Sequence, residues 1–123
     1  MKFIVTEKAP KAIGPYSQGT IINDTIYVSG QIPFNVETGE LETDIEIATL
    51  TSLNNVLAIV EAGGSSLEKI AKVNVSVKDM DDFEKINKVY DAFFKGHKPA
   101  RALVQVAKLP RNSVIEIEAI AQI

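Results

Sequence analysis

The chain has 123 residues, 46% of them hydrophobic and 24% charged, a balance that suits one α+β-sized domain, residues 1–123, with its own core. It contains no cysteine and a single histidine, His97, which excludes disulfides, thiolate nucleophiles and metal sites built on cysteine or histidine clusters. A net charge of −3 gives no basic footprint for nucleic acid, no apolar run reaches the ~20 residues of a membrane helix, and MKFIVTEKAP lacks the apolar stretch of a secretory leader, so a cytoplasmic protein is expected.

In chain order, Thr20 to Ile22 and Thr25 to Ser29 read as two strands, because β-branched and aromatic residues flank the turn-prone pair Asn23 and Asp24. After turns through Pro33, Asn35 and Gly39, Thr43 with Glu46 three residues on resembles a capping box and predicts a helix. Leu50, Leu53, Leu57 and Val60 mark its apolar face, and Gly63 with Gly64 supplies the left-handed stop. Strict alternation follows from Ala71 to Lys78, with Val73, Val75 and Val77 on the buried side of a strand. Asp81 with Glu84 opens a second helix whose apolar side is Phe83, Ile86, Tyr90, Phe93 and Phe94, ending near Gly96. Arg101 to Ala107 and Ser113 to Gln122 are two last strands, expected as a hairpin broken at residues 109 to 112.

This order predicts an α+β fold, a mixed sheet with both helices on one face. The set Ala102, Val104 and Val106 with Ile115, Ile117, Ala119 and Ala121 suits the side under the helices. That places Arg101, Gln105, Glu116 and Glu118 together on the other side, where Leu103, Val114 and Ile120 ask for cover by another subunit.

Few residues offer chemistry. Arg101 opens a strand where its guanidinium can grip a carboxylate with two parallel hydrogen bonds, although a surface ion pair is the commoner role for such an arginine. Asn87 interrupts the helical stripe Phe83, Tyr90, Phe94 and needs a partner, a backbone group or a ligand. Glu116 shares a strand face with Glu118, an arrangement that raises a carboxyl pKa toward acid–base work if the two approach, and is otherwise a solvated pair. Tyr16 follows the rigid Gly14 and Pro15 with a hydroxyl to offer, or packs; Ser29 and Gly30 end a strand where backbone can approach a ligand closely.

Six segments in order, AIGPYSQ, VSGQIP, INKVYDAFF, PARALVQV, LPRNS and IEIEAIA, spread from residue 12 to residue 121, closely resemble the Rid/YjgF family. The resemblance implies a chorismate-mutase-like α+β fold assembled as a homotrimer, with three ligand sites in clefts between subunits. It implies hydrolysis of 2-iminobutanoate and 2-iminopropanoate, reactive products of pyridoxal-phosphate enzymes, to 2-keto acids and ammonia without a cofactor or metal. By motif, Arg101 corresponds to the carboxylate anchor, and Tyr16, Ser29, Gly30, Asn87 and Glu116 to ligand-binding positions, with Glu116 expected to serve as the acid–base group. Leu103 stands where many members carry a cysteine, removing a thiol from the substrate-binding set. A keto-acid-binding regulatory module is the alternative; an endoribonuclease or translation inhibitor, also described in the family, is disfavoured by the acidic composition and lone His97.

Overall fold

The alternation of Val73, Val75 and Val77 makes one strand apolar on one side, and the architecture is assembled around it. The computed structural model describes all 123 residues. The strands are β1 (Lys2–Ile4), β2 (Gly19–Ile22), β3 (Thr25–Gln31), β4 (Phe34–Asn35), β5 (Glu40–Leu41), β6 (Ile70–Val77), β7 (Ala100–Gln105) and β8 (Ile115–Gln122). Two helices, α1 (Ile45–Ala62) and α2 (Phe83–Phe94), complete the fold. β1, β2, β3, β8, β6 and β7 form one sheet in that order, while β4 and β5 pair separately. All neighbours in the large sheet are antiparallel except β6 and β7, so the sheet is mixed, as the element order predicts.

The last two strands are not a hairpin. β6 lies between them, paired parallel to β7 and antiparallel to β8. A parallel pair needs a crossover, and α2 supplies it. The segment after β7 then passes the end of β6, with Val106 N–H donating to the Val77 carbonyl and Lys78 N–H to that of Val114.

One core of 20 buried residues joins α1 to the sheet, drawing Val73, Val75 and Val77 from β6 and Ile115, Ile117, Ala119 and Ala121 from β8. By length and composition α1 could cross a membrane; the nine residues it buries identify it as the core helix. Its buried side runs through Ala48, Leu53, Val56, Ile59 and Val60, so the predicted stripe is rotated: Leu50 is exposed and Leu57 only half-buried. The cap also lies one residue later than predicted, because the Asp44 carboxylate accepts from Ile47 N–H. At the other end Gly63 stays right-handed and Gly64, φ +91°, makes the turn. α2 begins at Phe83 after a 3-10 turn capped by Asp79, whose side chain accepts from Asp81 N–H; Asp81 itself caps nothing.

Ile59 is fully buried and fills the space left open by Gly19 on β2, where a Cβ would lie 2.9 Å from its Cγ2. Ile59→Ala should therefore cost roughly 2–5 kcal/mol, the range for emptying a packed aliphatic site. Urea denaturation reads this directly, and a loss below about 1 kcal/mol would show that α1 and the sheet are not closely packed there.

Candidate active site

Strand parity decides which candidate residues can meet. Arg101 pairs with Val73 and Leu103 with Val75, so both point to the helix side, whereas Glu116 pairs with Ser76 and points to the open face. Arg101 and Glu116 therefore lie on opposite faces of the sheet, not on one face as the sequence pattern suggested. The reversed strand is β7: Ala102 and Val104, expected beneath the helices, are exposed on the open face. β7 is an edge strand, and its orientation is set by register with β6 rather than by its own apolar residues.

The first group lies between α2 and β7. Arg101 Nη1 donates to Asn87 Oδ1 at 2.8 Å, and the guanidinium carbon stands 4.7 Å from the centroid of the Tyr90 ring and 6.0 Å from that of Phe83. Asn87 thus satisfies its amide oxygen with a cation. No carboxylate lies within ion-pairing distance of Arg101; the one ion pair in the chain joins Lys88 to Glu46. A half-buried guanidinium held by a neutral amide and a ring keeps its charge and remaining N–H groups for a ligand. Leu103, one pair further along the same face, is half-buried against the core.

The second group gathers around the end of β3. Val28 pairs with Ala119 and Gln31 with Ile117, so Ser29 and Gly30 together oppose the single residue Glu118 in a β-bulge. The Glu116 carboxyl packs on Gly30: a Cβ at that glycine would lie 2.7 Å from Glu116 Cδ. Ser29 Oγ donates to the Ser17 carbonyl at 2.6 Å, tying the bulge to the loop that carries Tyr16. Tyr16 and Gly30 line a cleft of about 640 Å³ with Ile32, Phe34 and Arg111. Burial, seconded by the negative charge of Glu118, holds the Glu116 carboxyl above the usual carboxylate range.

Two supporting residues escaped the sequence reading. Gln18 is buried and clamps the cleft wall: its Oε1 accepts from Thr6 N–H at 2.7 Å, and its Nε2 donates to the carbonyls of Thr6 and Pro10 at 2.9 and 2.8 Å. Tyr90 belongs by spacing to an apolar stripe; its position three residues after Asn87 on α2 is the signal for a shared partner. His97 is occupied elsewhere, its Nε2 2.7 Å from the Ile70 carbonyl. No group of three or more histidine, cysteine or acidic side chains is placed to hold a metal ion.

Residues 6–123 match the family described as endoribonuclease L-PSP. The 2-iminobutanoate/2-iminopropanoate deaminase of Escherichia coli K12 is 51% identical over 123 aligned residues, covering 98% of this chain and 96% of that protein. A RutC family protein of Pyrococcus abyssi is 50% identical over 119 residues, covering 96% of this chain and 94% of its own. Among solved structures, E. coli TdcF with bound serine superposes with a TM-score of 0.96 at 46% identity, over 100% of this chain and 99% of that one. The yjgF gene product of E. coli gives a TM-score of 0.96 at 50% identity, over 99% and 98%.

The raised Glu116 pKa has a definite consequence for stability. The folded chain binds this proton more tightly than the unfolded chain, so its contribution is fully present below the unfolded carboxyl pKa and is lost as pH rises through the folded value. Glu116→Gln should remove that dependence and leave the protein more stable than wild type above the window. Urea midpoints of both proteins across acidic to neutral pH test this; parallel curves would contradict the assignment.

Proposed function

The chain belongs to the endoribonuclease L-PSP family, the YjgF/Rid group, and on that footing we propose that it is a 2-iminobutanoate/2-iminopropanoate deaminase working as a homotrimer. The observation that carries this reading is Arg101, a guanidinium oriented by Asn87 and Tyr90 and left without an acidic partner. Such a group suits a carboxylate bound through two parallel hydrogen bonds. The serine bound in the TdcF relative bears a carboxylate of this kind.

Glu116 supplies the second function. Its raised pKa suits a carboxylate that takes a proton from water as the oxygen bonds to the imine carbon and the C=N electrons move to nitrogen, and then delivers that same proton to the nitrogen. The resulting carbinolamine collapses to the 2-keto acid, with the C–N bond breaking and ammonia leaving. Gly30 lies against Glu116, Ser29 ties its strand to the loop that carries Tyr16, and Asn87 and Leu103 flank Arg101. Imines hydrolyse spontaneously in water, so a moderate acceleration, most of it from positioning, is enough. The reaction draws on no cofactor, and its place is the cytoplasm, where pyridoxal-phosphate enzymes release such imines.

Two considerations support assembly. Arg101 and Glu116 face opposite sides of the sheet, so a site using both is completed across a subunit boundary. The open face also exposes Phe3 at 68%, Val104 at 51% and Tyr27 at 45%, apolar surface that a neighbouring subunit would cover. The endoribonuclease description of the family finds less support here, since the lone histidine is engaged by a backbone carbonyl.

The test generates 2-iminobutanoate from threonine with a dehydratase and follows keto acid release. Wild type should accelerate release; Arg101→Ala should lose at least about 100-fold while remaining trimeric, the cost of removing a charged anchor. Val104→Glu should break the trimer and the activity together with its circular dichroism intact. Binding of 2-oxobutanoate without turnover by wild type would instead identify a keto-acid-binding module.

A further inference from the structure

We propose that Tyr90 is a positioning residue whose ring face sets the plane of the Arg101 guanidinium for carboxylate binding. The inference rests on the reading of Arg101 as the carboxylate anchor. A planar group presenting a two-pronged edge needs two restraints, one within its plane and one against its face. Asn87 provides the first through the 2.8 Å hydrogen bond to Nη1. Tyr90 provides the second, with the guanidinium carbon 4.7 Å from the ring centroid, well inside cation–π range. Phe83, at 6.0 Å, sits at the outer limit of that range and holds the group only loosely.

The hydroxyl of Tyr90 takes no part. It is buried without a hydrogen-bond partner, and burial holds its pKa above the ordinary phenol value, so the side chain remains a neutral ring. The rest of α2 explains why a ring is needed. Glu84 and Asp91, which border a hollow with Asn87, Tyr90 and Arg101, make no ion pair with Arg101, so no acidic side chain competes with a substrate carboxylate. A ring restrains the guanidinium without neutralising it, which a carboxylate in the same place would do. A fixed arginine side chain loses rotamer freedom, and a ring that fixes the plane beforehand moves that cost from binding to folding.

A grip made equally in the ground and transition states changes KM rather than kcat. The experiment therefore compares wild type, Tyr90→Phe, Tyr90→Leu and full-length proteins with phenylalanine carrying one, two or three fluorines at position 90. Fluorination weakens the ring's negative face while preserving its shape, a change to which a purely space-filling residue is indifferent. KM for 2-iminobutanoate and Kd for 2-oxobutanoate should rise stepwise with fluorination, to about tenfold at three fluorines and with Tyr90→Leu, while kcat stays within about twofold. Tyr90→Phe should match wild type. A flat KM across the fluorinated series, with Arg101→Ala abolishing 2-oxobutanoate binding, overturns the role of Tyr90 and leaves the anchor standing. Undiminished binding by Arg101→Ala overturns the anchor and this inference together.

Discussion

The constraint on which the rest depends is the two-residue period of the sheet. Neighbouring strands keep paired side chains on one face, so once Val73, Val75 and Val77 of β6 are buried beneath the helices, the orientation of both flanking strands is fixed. Ile117 and Leu103 share that side because both pair with Val75. Arg101 must follow Leu103 toward α2, and Glu116 must turn away from Ile117 toward the open face. The separation of the two chemical groups is thus a consequence of core packing.

Each group is then refined by local structure. On the helix side, α2 is the crossover between parallel strands, and this topology lays Asn87 and Tyr90 against the start of β7. On the open side, the bulge at Ser29 and Gly30 leaves backbone without a side chain where the Glu116 carboxyl settles. Gln18 holds the neighbouring loop through its buried amide, so the cleft around Tyr16 has a fixed wall. A half-buried guanidinium without a counter-ion and a carboxyl with a raised pKa are both costly in isolation. They are paired here with supports that keep one charged and the other ready to exchange a proton.

Much of this was written in local sequence. Alternation located β6 and β8, helical spacing located both helices, and Asn87 in an apolar stripe correctly announced an amide needing a partner. What failed was non-local. β7 carries apolar Ala102 and Val104 as if for the core, but at the sheet's edge its orientation comes from pairing with β6, which no window of its own sequence records. The predicted hairpin failed for the same reason, since β6 lies between β7 and β8. The rotation of the α1 stripe is a smaller error: Ser52, Asn55 and Thr49 are buried beside Leu53 and Val56, so polar residues occupy part of the buried side and Leu50 is left outside. Motif resemblance named candidate site residues, and the sheet register divides them into two groups.

The central claim, that Arg101 of one subunit works with Glu116 of a neighbour, is tested most directly by mixing two inactive proteins. Arg101→Ala and Glu116→Ala, combined in equal amounts, unfolded together and refolded, should form mixed trimers that regain about a quarter of wild-type activity, because a shared interface can unite one intact arginine with one intact glutamate. If the mixed trimers form and remain as inactive as either parent, the two residues do not work across the subunit boundary.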